Sequence, residues 1–137
     1  MLASPRLGYR TALAAIALVV SVPALAQAAV STGTWSISGA MGNPPVETIN
    51  PVCVLRLVGS ALSGTCRGAA GVGAVTNGVV SGARVTFRWN RIATSAAQKN
   101  GIITFVGTLT SSTIIRGTWT DSYRPGGVGT FIGQRHT

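Results

Sequence analysis

Residues that can be buried alternate with polar residues along much of the chain, and one short pattern recurs within this alternation. Gly-Thr followed by a residue that can be buried occurs five times, at Gly33-Thr34-Trp35, Gly64-Thr65-Cys66, Gly107-Thr108-Leu109, Gly117-Thr118-Trp119 and Gly129-Thr130-Phe131. Because side chains alternate across a strand, each copy places glycine and the large residue on one face and threonine on the other. Small and large residues that alternate in this way suit the interior of a small barrel. The pattern therefore predicts a closed, curved sheet.

The two cysteines lie in alternating segments, residues 53–58 and 61–66, which flank the turn-forming pair Gly59-Ser60. A two-residue turn there places Cys53 opposite Cys66 on one side of the hairpin. Opposed residues of an antiparallel pair are within reach of a disulfide, which for a loop of this size contributes about 2 to 3 kcal/mol. We therefore predict a disulfide hairpin and no redox or metal role for the cysteines.

Two more hairpins follow along the chain. Residues 79–81 and 84–90 flank Gly82-Ala83, with Val85, Phe87 and Trp89 facing inward. Residues 102–110 and 113–120 form the second hairpin, where a three-residue turn at 110–112 would place Ile103 opposite Trp119. The Gly/Ala-rich segment 68–78, which lies between the disulfide hairpin and the first of these two hairpins, is typical of a flexible loop or a weak edge strand.

Eight short strands joined mostly by tight turns, with no helix of useful length, predict an all-β fold. We expect a single antiparallel up-and-down eight-stranded barrel, because closure removes the exposed edges of the sheet. A two-sheet sandwich remains the alternative.

The N-terminal residues have the organisation of a secretory signal peptide. Arg6 and Arg10 precede an apolar run at 12–22, which is shorter than a membrane span needs. We predict a signal peptide at 1–26, with cleavage after Ala26 or Ala28, and a single barrel domain at 27–137. The mature protein is then periplasmic or secreted, without a transmembrane segment.

Charge changes this picture, because acidic residues are almost missing. The chain has 11 Lys and Arg residues, of which two lie in the predicted signal peptide, and only two acids, so the mature net charge is 9 − 2 = +7. A field of this sign attracts an anionic envelope surface or an acidic protein. Nothing in the sequence indicates a specific nucleic-acid site.

Gly33-Thr34-Trp35 on the first strand, with Arg135 on the last, resembles the signature of calycin barrels. In that family the tryptophan packs under the arginine at the closed end, so the resemblance implies a structural role for Trp35 and Arg135. The avidin branch is similar in layout, since residues 85–90, Thr104-Phe105 and 117–119 resemble its middle and later strands. Its polar ligand-binding residues are missing: Ile37 and Gly129 stand at two of those positions, so we do not expect tight biotin binding.

Catalytic chemistry has few candidates. The mature chain offers Glu47, Asp121 and one histidine, His136, which is the penultimate residue. We expect both acids to be solvated near turns, and we predict no enzyme, no catalytic residues, no metal site and no cofactor.

The leading hypothesis is an exported noncatalytic barrel that binds a small apolar or amphipathic ligand, with or without an anionic group, in the barrel mouth. Trp89, Phe105 and Trp119 would supply apolar contact and Arg116 the charge. The alternative is an envelope or secreted interaction protein with a filled core, either an anionic-surface binder or similar to a protease inhibitor. A monomer and a homo-oligomer are both compatible with the sequence.

Overall fold

A computed structural model describes residues 32–136 of the chain. The predicted signal peptide and its two cleavage sites lie outside the described residues. The described part contains nine strands and no helix. The strands are β1 (Thr32–Met41), β2 (Glu47–Ile49), β3 (Val52–Val58), β4 (Ala61–Gly68), β5 (Gly71–Ser81), β6 (Arg84–Arg91), β7 (Gly101–Ser111), β8 (Ile114–Asp121) and β9 (Gly129–Arg135).

The sheet closes on itself. From β3 to β9 each strand pairs antiparallel with the next along the chain, and β1 lies between β3 and β9. The closing ladder between β1 and β9 runs from Trp35, opposite Arg135, to Met41, opposite Gly129. The predicted antiparallel up-and-down barrel is confirmed, and the alternative sandwich is wrong.

The barrel has eight strand positions although nine strands form, because β2 and β3 are one strand broken at a proline. β1 pairs with both in the same register, with Gly39 opposite Ile49 and Ser36 opposite Val52. Between them the carbonyl of Pro51 accepts a hydrogen bond from the N–H of Ile37 at 2.9 Å. Proline has no N–H to return, so the ladder is interrupted at that position.

The predicted disulfide hairpin is confirmed. β3 and β4 are joined by the turn at Gly59-Ser60, Cys53 is opposite Cys66, and their sulfur atoms are bonded. The glycine has a φ of +62°, which is the left-handed value that the first position of this turn requires.

Two details differ from the sequence-based expectation. The prediction that segment 68–78 is a flexible loop or an edge strand is wrong, because most of it forms β5, which lies between β4 and β6 inside the sheet. Its glycines let the strands approach: a Cβ on Gly73 would overlap the carbonyl oxygen of Asn90. The register of β7 and β8 is also shifted by two residues, so that Phe105 is opposite Trp119. The turn has two residues and not the three that we predict, and a bulge near Thr110 contributes the extra residue that keeps the inner faces of the two strands aligned.

The inner face forms one hydrophobic cluster in which aromatic side chains take most of the space. Phe87 stacks on Phe105 at 4.7 Å between ring centroids, and Phe105 meets Phe131 edge-on at 5.1 Å. The indole of Trp119 lies over two glycines, and a Cβ on Gly39 would lie 2.7 Å from its Nε1. In two copies of the recurrent Gly-Thr pattern the glycine makes room for a ring from another strand: Gly129 for Trp119 and Gly107 for Phe131.

Candidate functional site at the barrel mouth

The two ends of the barrel differ in how the chain crosses them. One end carries only two-residue turns, at 59–60, 82–83 and 112–113. The other carries the longer connections 42–46, 92–100 and 122–128, and we call this end the barrel mouth. Longer connections can build a functional site, and here they surround polar groups that the sheet holds in place.

Arg91 is the central polar residue of the mouth. It is the last residue of β6, where the inward alternation of Val85, Phe87 and Trp89 continues by one more step, and it is only 6% exposed. Its guanidinium donates from Nη2 to Asp121 Oδ2 at 3.1 Å, from Nη1 to Glu47 Oε1 at 3.3 Å and from Nε to the carbonyl of Lys99 at 2.9 Å. Three separate segments are therefore tied to one side chain. The alternation could have indicated Arg91 as an inward residue, but the predicted strand ended one residue earlier, at Asn90.

The expectation that Glu47 and Asp121 are solvated is wrong. Asp121 ends β8 opposite Ile103, on the inner face, and its side chain has no exposed surface. Glu47 begins β2 and its side chain is 14% exposed. The physical reason is Arg91, because a buried carboxylate persists when an opposite charge and hydrogen bonds compensate for lost hydration.

The pKa values of the two carboxyl groups are shifted in opposite directions. The pKa of Glu47 is raised from 4.5 to about 7, mainly by burial and next by the neighbouring Asp121 carboxyl group, whose effect exceeds the opposing effect of the Arg91 guanidinium. Burial also acts to raise the pKa of Asp121, but hydrogen bonds from Glu47 and from the Tyr123 N–H, together with the charge of Arg91, hold that pKa below its usual 3.8. Glu47 is thus the group that accepts a proton near neutral pH, and Asp121 stays ionised.

A second arginine covers Glu47 from the solvent side. Arg124 Nε lies 3.2 Å from Glu47 Oε2, and the Arg124 side chain is 46% exposed. This contact is an ion pair without hydrogen-bond geometry, since Oε2 is buried and has no hydrogen-bond partner among the described residues. The pair is therefore easier to separate than the contacts of Arg91.

A pocket of about 450 Å³ opens above this cluster. Its cationic groups are Lys99 and Arg124 at the rim and Arg91 at the base, its one acidic residue is Glu47, and Tyr123 forms part of the wall. Lys99 Nζ stands 5.8 Å from the centre of the Tyr123 ring, a cation-π contact between the two connections that flank the pocket. Three alanine side chains supply apolar wall: Ala69, Ala70 and Ala97.

The structure does not bring the four predicted ligand-binding residues to one open pocket. Trp89, Phe105 and Trp119 are each 0% exposed within the core. Arg116 is exposed on the outer face of β8, so the barrel wall separates it from the three rings. An eight-stranded barrel has an interior that side chains of this size can fill. The ligand-binding role of these residues stays a prediction.

At the opposite end, Trp35 is fully buried and is paired directly with Arg135. The Arg135 side chain crosses the backbone of Gly33, where a Cβ would lie 2.8 Å from its Nε. Glycine at the first position of the calycin-like signature thus leaves room for the arginine side chain. The indole nitrogens differ in their partners: Trp119 Nε1 donates to the carbonyl of Thr130 at 3.1 Å, whereas those of Trp35 and Trp89 meet no acceptor among residues 32–136.

Within the described part of the chain, no three His, Cys, Asp or Glu side chains lie together as metal ligands would. Nor does this part contain a helix long and apolar enough to cross a membrane. Comparison of the chain with protein-family models, with curated proteins and with solved structures gave no match, so the calycin-like description rests on the closed barrel itself.

Proposed function

We propose that the protein is an exported, noncatalytic barrel, built like a calycin, that binds a small amphipathic anion at the barrel mouth. The pocket of about 450 Å³ over the mouth is the observation that carries the proposal. Its size is within the range of small-molecule sites. Export is inferred from the signal-like N-terminus and agrees with a disulfide-bonded domain.

The charges of the pocket favour an anion. Arg91 is committed to Glu47, Asp121 and the backbone of Lys99, so it organises the base and has little left to offer a ligand. Lys99 and Arg124 are exposed at the rim and can turn toward an anionic group. The alanine side chains and the Tyr123 ring then accept the apolar part of the same molecule, so an amphipathic anion uses both kinds of wall.

Ligand and Glu47 compete for Arg124. When Glu47 is ionised, its carboxylate holds the arginine by the 3.2 Å ion pair, and when Glu47 is protonated the arginine is released. With the pKa of Glu47 at about 7, anion binding should strengthen as the pH falls through neutrality. In this proposal the mouth residues, and not the buried rings of Trp89, Phe105 and Trp119, make the main ligand contacts.

An acid–base enzyme is the second candidate, and the raised pKa of Glu47 beside a pocket is the observation that favours it. We infer a binding role instead, because both oxygens of Asp121 are already occupied by Arg91 and by the Tyr123 N–H. The two roles predict different results for Glu47→Gln. A general acid would lose its activity, whereas a competitor for Arg124 would leave a tighter site for anions.

Calorimetry with sodium octanoate tests the proposal, with octanol as the neutral match. We expect octanoate to bind at least about tenfold more tightly than octanol, and Arg124→Gln to remove about that factor, because one charge-assisted contact is lost. Glu47→Gln should tighten octanoate binding at about pH 8, where the native carboxylate is ionised. Arg56→Gln, on the outer face of β3, is the matched control and should leave affinity unchanged.

Equal affinity for octanoate and octanol would contradict the anionic site. An Arg124→Gln protein that binds octanoate as the native chain does would contradict its position at the mouth.

A further inference from the structure

All acidic side chains of the chain are at the mouth, and this leaves the outer wall of the barrel purely cationic. The sequence has two acids, and both contact Arg91 inside the mouth. Five arginines point outward from the strands and are exposed: Arg56, Arg67, Arg84, Arg88 and Arg116. None of them forms an ion pair within residues 32–136.

One side of this outer wall has a distinct composition. We call the outward-facing Arg and Thr residues of β6, β7 and β8 the Arg/Thr wall; they are Arg84, Thr86, Arg88, Thr104, Thr108, Arg116, Thr118 and Thr120. The Arg/Thr wall therefore carries three arginines and five threonine hydroxyls, and the outward apolar residues of the same strands are Ile102, Val106 and Ile114. Opposite in the ring, on β3, every outward residue other than Arg56 is by contrast a valine.

The strand register sets the spacing of the charges. Arg84 is opposite Thr108, which is opposite Arg116, so these two arginines lie in one row two strands apart. That places their α-carbons ~10 Å apart. Arg88 shares the next charged row with Thr104 and Thr120. A chain with repeated anionic groups can therefore place one group against each arginine of this row.

A groove adds a shaped site at the mouth side of this wall. It has a volume of about 410 Å³, its floor includes Arg88, Thr104 and Thr120, and Arg124 with the 125–128 segment forms its far side. Asp121 also lines it, but that carboxylate is held by Arg91 and the Tyr123 N–H. The groove thus presents two arginines, Arg88 and Arg124, that can face the same guest.

We propose that the Arg/Thr wall and its groove bind an extended acidic polysaccharide, a function distinct from that of the mouth pocket although Arg124 lines both sites. Arginine binds carboxylate or sulfate groups through paired hydrogen bonds, and threonine hydroxyls can bond to sugar hydroxyls. The wall has no aromatic side chain for stacking bases, which disfavours a single-stranded nucleic acid. A recessed groove fits a single chain and does not fit the flat surface of a bilayer.

The test compares two double variants of the full chain that remove equal charge. Arg88→Gln with Arg116→Gln alters the Arg/Thr wall and leaves Arg124 and the mouth intact, and Arg56→Gln with Arg67→Gln alters the opposite side. The probe is a galacturonic-acid oligosaccharide, with a neutral malto-oligosaccharide of equal length as control, and affinity is measured by calorimetry at low and moderate salt. We expect the first variant to bind about tenfold more weakly and the second to change less than about twofold.

Equal losses in both variants would overturn the proposal, because they would indicate a general charge field and not a site. Tighter binding of oligothymidylate, or of vesicles that contain phosphatidylglycerol, than of the acidic oligosaccharide would overturn the choice of partner. Octanoate affinity, measured on the same variants, reports on the mouth pocket independently, so failure of one proposal does not imply failure of the other.

Discussion

Arg91 places a guanidinium, 6% exposed, between the two acidic side chains of the chain. The three side chains form a buried charge network, so removing one of them leaves a buried charge of another without its partner. Glu47 can become neutral by taking up a proton, but Asp121 keeps its charge and needs its partner. The consequence of removing the arginine follows from that difference.

Arg91→Met should lower the free energy of unfolding by about 3 kcal/mol, because it leaves Asp121 buried without an opposite charge. Arg124→Met is the control: that side chain is 46% exposed, and the loss should be under about 1 kcal/mol. Urea denaturation followed by tryptophan fluorescence measures both. If the two variants are equally stable, Arg91 does not compensate the buried carboxylate.

A second substitution separates lost packing from uncompensated charge. Asp121→Leu, added to Arg91→Met, should recover most of the lost stability, since apolar replacements of buried ion pairs are often neutral. A double variant as unstable as Arg91→Met alone would mean that packing, and not charge, caused the loss.

At the level of strands, close approach of β7 and β8 depends on glycine. A Cβ on Gly117 would overlap the carbonyl oxygen of Val106, which belongs to the facing backbone and cannot move aside. Gly133 on β9 offers a matched position, because a Cβ there would meet its nearest atoms at 3.7 Å, an ordinary contact.

We expect Gly117→Ala to cost about 1 to 3 kcal/mol of unfolding free energy through overpacking. Gly133→Ala should be neutral or stabilising by up to about 1 kcal/mol, since alanine restricts the unfolded chain. Chemical denaturation of the two proteins gives the comparison. Equal effects at the two positions would contradict the crowding inferred between β7 and β8.

The disulfide joins the two strands of one hairpin, β3 and β4, across a sequence separation of 13 residues. Replacing both cysteines by alanine should lower the unfolding free energy by about 2 to 3 kcal/mol, mostly because the unfolded chain gains freedom. The fold should persist, since the β3–β4 ladder has further pairs beyond the cysteines. Circular dichroism and denaturation of the double variant check both statements, and a variant that does not fold would contradict the second.

Strand pairing was predictable where a turn or a pattern defined it. Gly59-Ser60 set the register of the disulfide hairpin, and the alternation in β6 gave its inner face. Prediction failed in β5, because its small residues give no amphipathic pattern although the strand is held on both sides by backbone pairing. It failed also at the bulge between β7 and β8. An extra residue in a strand and an extra residue in the turn put the same side chains on the inner face, so the sequence pattern does not distinguish them.

The mouth cluster belongs to the whole molecule, because closure of the barrel assembles it. Arg91 is 44 residues from Glu47 and 30 from Asp121 along the chain. No local sequence pattern marks such a cluster. It forms only because the start of β2 and the ends of β6 and β8 lie at the same end of the closed barrel. The sequence shows that arginines greatly outnumber the two acidic residues. Only the fold shows that both acidic side chains pair with the same arginine, Arg91.

The pH dependence of global stability follows from this assembly. The pKa of Glu47 is about 7 in the folded protein and near 4.5 in an unfolded chain, so between these values the folded state holds a proton that the unfolded state has lost. The free energy of unfolding should therefore fall as the pH rises through this window and level off above it. Asp121 has a lowered pKa, so its contribution is present above its usual 3.8 and is lost as the pH falls below that value.

Stability should be greatest at about pH 4 to 5, between the two windows, which is more acidic than most proteins prefer. Glu47→Gln removes the upper titration and should flatten the dependence between about pH 5 and 7, while Arg56→Gln should leave it unchanged. Urea denaturation at pH values spaced from about 3 to 8 gives the curves. Arginine side chains do not titrate in this pH range, so the slope reports the carboxyl groups. A stability that does not change between about pH 5 and 7 would contradict this prediction, because it would mean that Glu47 is already ionised in the folded barrel at about pH 5.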